Sequence, residues 1–207
     1  FLFFLFLAVI LVLIVARLFP ETQQAEKRKY ISILEISLTL FKDKKVIGFG
    51  LIVSACNGIS FSYFAEGSFY LIKILGLSPS EYGLSFIAIA AATMMGGILS
   101  KKLHNHHTAK TIMGYGLVII LSSASIFSVF TVIHTNILLF PTNLMIVITI
   151  LSQMSLMFGI CMATSNALAL ALVDYKWCIG TASSLFGFFY YCLISLFTLG
   201  MGALHND

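Results

Sequence analysis

The chain has 207 residues; 59% are hydrophobic, 10% are charged, and the net charge is +4. Its mean hydropathy is +1.02. A soluble domain covers itself with about 25% charged residues, so a soluble fold is excluded. The long continuous apolar runs argue against an outer-membrane barrel, whose short strands alternate. The expected fold is all-α and polytopic, with about six transmembrane helices.

The first run, Phe1–Phe19, covers about 28 Å as a helix, enough to span a membrane. It has no initiator Met and no basic start, and its apolar core is longer than that of a signal peptide. The chain is therefore expected to be a piece of a longer protein. Further spans are expected at about Val46–Leu75, Tyr82–Ser100, Thr111–Ile133, Asn143–Val173 and Gly180–Leu204. These give three segments: 1–22 with the first helix, 23–45 as a loop, and 46–207 as a five-helix bundle.

Eleven of the twelve Lys and Arg residues fall on one side of this arrangement, Lys73 being the exception. The positive-inside rule makes that side cytoplasmic, in the inner or plasma membrane. Within the first loop, Lys29–Phe41 carries Ile33, Leu34, Ile36, Leu38 and Leu40 with partly helical spacing. An interfacial helix is expected there; a plain linker is the alternative.

The central stretch runs from Asn57 to Tyr82, with Glu66 in its middle. A carboxylate inside a span is costly and marks a functional site by default. On an α-helical wheel Ile59, Ser62, Tyr63, Tyr70 and Lys73 fall within about 60° of Glu66. Such a stripe lines water or a polar neighbour rather than lipid. Burial disfavours the charged form of a carboxylate, which suits a proton carrier. The alternative is a hydrated, structural carboxylate near the mouth of the span.

The fifth span carries Gln153, Ser155, Thr164, Ser165 and Asn166 among several Met residues. Interhelical hydrogen bonding and a pocket for varied compounds both fit that composition. Small residues four apart (Ala92/Gly96/Ser100, Gly180/Ser184, Ser183/Gly187) read as packing faces.

Other features point away from chemistry. Cys56, Cys161, Cys178 and Cys192 form no CxxC pair and read as small hydrophobes. His104, His106 and His107 read as a solvated loop rather than a metal site. No phosphate loop, HExxH or nucleophile elbow is present, so no enzyme and no cofactor is expected. Topology explains the basic loops without nucleic acid.

Several stretches together resemble the C-terminal half of a major facilitator superfamily transporter, most closely the bicyclomycin-resistance (Bcr/CflA) type of drug:proton antiporter. Arg17-Leu18-Phe19-Pro20-Glu21-Thr22 resembles the ending of that family's sixth helix, and Tyr30-Ile31-Ser32-Ile33-Leu34 the lead into its seventh. Tyr63–Phe69, then Leu75-Gly76-Leu77-Ser78 and Tyr82-Gly83, resembles the seventh helix and the loop after it. Gly67-Ser68 stands where the family often has Ser-Pro, so the proline kink is missing. Gly96–Lys102 resembles the second copy of the cytoplasmic-loop motif, with Lys101 at its acidic position. Ser165-Asn166-Ala167 resembles a Pro-Asn-Ala stretch, and Gly180–Gly187 (GTASSLFG) the opening of helix eleven.

The resemblance implies helices six to eleven of a twelve-helix rocker, with an N-terminal half and a twelfth helix outside this chain. It also implies proton-coupled efflux of small amphipathic compounds across the bilayer. In that scheme Glu66 alternates between protonated and substrate-engaged states. Tyr63, Phe69 and Tyr70 stack on the ligand, and Gln153 and Asn166 offer hydrogen bonds. The alternatives are an importer of a metabolite and a non-transporting remnant or assembly partner.

Overall fold

A computed structural model describes residues 2–19, 32–137 and 139–204. The Pro20–Thr22 ending, the basic run at 27–29 and the start of the 29–41 stretch lie outside the described residues. The chain forms two units, Phe1–Ser32 and Ile33–Asp207.

The first unit contributes helix α1, Leu2–Leu18, of 17 residues. It is about 26 Å long, at the short end of what crosses a bilayer.

The second unit begins with α2, Ile33–Lys42, followed by α3, Lys44–Ser68, and a π turn, Phe69–Ile74. Then come α4 (Pro79–Leu103), α5 (Ala109–Asn136) and α6 (Thr142–Ala171). A 3-10 turn, Val173–Cys178, leads into α7, Ile179–Leu204. No strand occurs among the described residues. Five helices in this unit are long and apolar enough to cross a membrane, so the protein is an all-α polytopic membrane protein.

The helix starts are specified locally. Asp43 caps α3 by accepting from the Lys45 amide at 2.9 Å. Ser78 and Glu81 form a reciprocal capping box around Pro79, which needs no amide partner at the first turn of α4. Thr108 caps α5. The π turn closes where the Leu75 amide donates to Tyr70 O and the Leu77 amide to Leu71 O. Gly76, at φ +75°, supplies the left-handed residue this exit requires.

The bundle is organised around α6, which packs against α3, α4 and α5. A β-carbon on Gly116 would lie 2.7 Å from Gly159 O, and one on Gly159 would lie 2.8 Å from Gly116 O. The α5 and α6 backbones therefore touch directly, as small residues permit in a membrane. Gly96 meets Phe158 O in the same way, placing the Ala92/Gly96/Ser100 face of α4 on α6. On the far side of α3, Phe186 and Phe189 of α7 fill the space over Gly50. Helix α2 buries Ile36 and Leu40 and packs on α3 and α7.

The second expected packing face differs. Gly180 has nothing within 4 Å of a β-carbon, and Ser183 and Ser184 are exposed. Their hydroxyls donate to backbone carbonyls of their own helix at Ile179 and Gly180. Within the second unit this stripe lies away from the side of α7 that buries Ala182 and Phe186 and meets α3.

Candidate functional site

A cleft of about 880 Å³ lies between α3, α4 and α6. Its volume falls in the range of small-molecule sites. Asn57, Ser60, Phe61 and Phe64 line it from α3 and Met157, Ile160, Cys161 and Thr164 from α6. Helix α4 contributes a longer wall, from Phe86 through Ile89, Thr93 and Gly97 to Lys101. Residues 86, 89/90, 93/94, 97 and 101 recur at helical spacing, so one continuous stripe of α4 faces the cleft.

Aromatic rings close the end away from Lys101. Phe64 and Phe86 stack at 5.9 Å and 22°, and Tyr82 meets Phe86 edge-on at 5.0 Å. Tyr63 packs on Phe86 at 6.4 Å. Offset and edge-on pairs of this kind add about 0.5–1.5 kcal/mol each beyond area burial. The Tyr63 hydroxyl is buried and faces Ser85 without a well-formed hydrogen bond.

The polar groups of the cleft wall are turned inward on their own helices. Thr93 donates to Ile89 O at 2.9 Å, Thr164 to Ile160 O at 2.8 Å and Asn57 to Val53 O at 2.9 Å. Ser60 donates toward Cys56 O and Met157 Sδ, each at 3.4 Å. The surface facing the cleft is therefore mainly hydrocarbon, aromatic ring and sulfur.

None of the six residues expected to form one site is among the residues lining the cleft; they are spread along the bundle, Tyr63 behind the Phe64–Phe86 end. Glu66 is half-buried in the last turns of α3, immediately before the π turn. Phe69 and Tyr70 open that turn, and Lys73 Nζ lies 5.2 Å from the centre of the Phe69 ring, a cation–π contact. The wider turn re-phases the helix after Phe69, so an α-helical wheel drawn from Glu66 no longer gives the facing of Tyr70 and Lys73. π turns recur at functional sites, and this one occupies the position where the resemblance expected a proline kink.

Gln153 lies one helical turn before Met157 in α6, beyond the residues that line the cleft, and it is only 5% exposed. Its amide nitrogen has no hydrogen-bond partner among the described residues. The Ser60–Met157 contact sets the relative height of α3 and α6. Measured from it, Glu66 stands about 9 Å and Gln153 about 6 Å along their helices in the same direction. The structure thus brings Tyr63, Glu66 and Gln153 to similar heights.

Asn166 is apart from them, about 20 Å along α6 from Gln153. It is 2% exposed and donates to Ser100 Oγ at 3.0 Å and to Met162 O at 2.7 Å. Both bonds tie α4 to α6 or brace α6 itself.

Sequence reading singled out neither the α4 wall nor Phe61 and Phe86. The period of Phe86, Ile89, Thr93, Gly97 and Lys101 was available in the sequence, but only a neighbouring helix reveals which of several apolar stripes lines a space.

No family model matches the chain. It is similar to an uncharacterized transporter of Rickettsia felis, 32% identical over 216 aligned residues covering the whole chain and 52% of that protein. It is also similar to an uncharacterized transporter of Rickettsia bellii, 30% identical over the same extent. The chain spans about half the length of the curated relatives it matches.

Proposed function

We propose that this chain is part of a transporter that moves small amphipathic compounds across the inner membrane, coupled to protons, with its basic loops cytoplasmic. The observation that carries the reading is the 880 Å³ cleft between three membrane-length helices. The names of the two Rickettsia relatives and the resemblance to drug:proton antiporters support it. In such a transporter the substrate site lies between two halves, and the α3–α4–α6 cleft is one wall of it.

Glu66 is the proton-carrying group in this reading. It is half-buried at membrane depth, beside a π turn that can change the helix's phase. Tyr63 belongs to the aromatic end of the cleft, Phe69 and Tyr70 to the turn that follows Glu66, and Gln153 offers an amide donor at similar height. Export is the direction that the resemblance favours.

The test is Glu66→Gln in the protein as its gene encodes it. Efflux of fluorescent amphipathic dyes of either charge is measured in cells, and proton release on ligand addition in purified protein. Loss of proton release together with loss of uphill efflux is expected. Unchanged coupled transport would remove the carrier role from Glu66.

A further inference from the structure

We infer that the cleft takes an anionic amphiphile with a single long chain, drawn sideways from the bilayer. This names the substrate class of the site above and rests on that reading.

The sign follows from the lining. Among the described residues Lys101 is the one charged side chain in the lining, and none of the lining residues is a carboxylate. A cationic head group would enter a wall with no counter-charge and one like charge. An anionic head group pairs with Lys101 at the rim.

The form of the tail follows from the rest of the wall. The hydroxyl protons of Thr93 and Thr164 and one amide N–H of Asn57 are donated within their own helices, which leaves few donors for a ligand. A polar ligand body would lose its water and find few partners, which is costly. A hydrocarbon chain loses nothing there.

Length agrees. Along α4 the cleft runs 15 residues from Lys101 to Phe86, about 22 Å. One leaflet contributes about 15 Å of hydrocarbon, so a leaflet-length acyl chain anchored at Lys101 lies wholly within the cleft, pointing toward the Phe64–Phe86 stack. The rim explains the sideways route. Phe61, Phe64, Met94 and Ile98 are 43%, 48%, 65% and 49% exposed beside the cleft, an apolar edge suited to passage from lipid.

The experiment uses the full chain in maltoside micelles with a diazirine-bearing palmitate, its crosslinks mapped by mass spectrometry. Dodecanoate, dodecyl phosphate and dodecyltrimethylammonium compete at equal chain length. Crosslinks on the cleft faces of α3, α4 and α6 are expected, and both anions should compete at concentrations about tenfold below the cation. Lys101→Glu should weaken labelling about tenfold, whereas Lys102→Glu, next along the chain and outside the lining, should leave it unchanged. Ala90→Trp obstructs the middle of the cleft while keeping Lys101, and should weaken labelling in protein whose thermal melt shows it folded.

Equal competition by anion and cation, equal effects of the two lysine variants, or crosslinks elsewhere would each overturn the inference. Preference for the anion competitors would stand whether or not Glu66→Gln uncouples transport, so the two readings fail separately.

Discussion

Lys45 Nζ lies 2.7 Å from Asp174 Oδ2, joining the first turn of α3 to the 3-10 turn before α7 across 129 positions of sequence. Beside it the Tyr175 hydroxyl donates to Asp43 Oδ2 at 3.0 Å. Asp43 is also the cap of α3, so one residue starts a helix and ties it to a distant turn.

The two contacts should behave differently. The ion pair is 46% and 62% exposed, so Lys45→Ala should cost less than about 1 kcal/mol, an effect that fades at high salt. Tyr175 is buried, and Tyr175→Phe should cost about 1.5–3 kcal/mol, the range for a hydrogen bond to a charged group, with little dependence on salt. Denaturant titrations in detergent at two ionic strengths separate them; equal salt sensitivity would contradict this assignment.

Gly116→Val puts a side chain where the α6 backbone already stands, 2.7 Å from the β-carbon position. Overpacking of this kind costs about 1–3 kcal/mol or more. Gly114→Val, two residues away with nothing within 4 Å, is the control and should stay level with the parent or rise by a few tenths of a kcal/mol, valine being a better helix former than glycine. Thermal melts of the two proteins in detergent check the contrast.

The Asn166–Ser100 bond links α6 to α4 at the lysine-rich end. A double-mutant cycle with Asn166→Ala and Ser100→Ala should return a coupling of about 0.6 kcal/mol, within the range for buried membrane hydrogen bonds. Zero coupling would mean that Asn166 acts only through its bond to Met162 O.

Gln153→Met removes a buried amide whose nitrogen has no partner among the described residues and keeps the volume. Folding stability should stay level or rise by about 1 kcal/mol. If Gln153 serves a ligand, transport should fall in the same variant, and that opposite movement of stability and activity is the signature to measure.

The helical class and the positions of the membrane-length helices were legible because each is a long apolar run, and run length needs no tertiary information. The Gly96 face of α4 was legible for a related reason, since Ala92, Gly96 and Ser100 repeat within one helix. The Gly116–Gly159 crossing was not singled out, although Gly159 and Ala163 stand four apart and both meet Gly116. A crossing is made by two helices, and Gly116 has no small partner four residues away in α5.

The π turn was beyond reach for another reason. Phe69–Ile74 contains nothing that distinguishes an i→i+5 bond from an i→i+4 one, so the wheel through Glu66 was continued one turn too far. Asn166 was legible as a polar residue in a span, but only Ser100 on another helix revealed what it binds. The cleft could not be read at all, because empty space is a property of the helices' arrangement.

The backbone contact between Gly116 and Gly159 has a mechanical corollary. Where two main chains touch with no side chain between them, there is no rotamer to yield, and α5 with α6 behaves as a single stiff plank. Gly96 nails α4 to the same plank at Phe158. Of the three walls around the cleft, only α3 remains free of such a joint to α6, meeting it through Ser60 and Met157, soft and adjustable side chains. Of the three helices around the cleft, α3, which carries Glu66, is thus the one held to α6 by side chains alone.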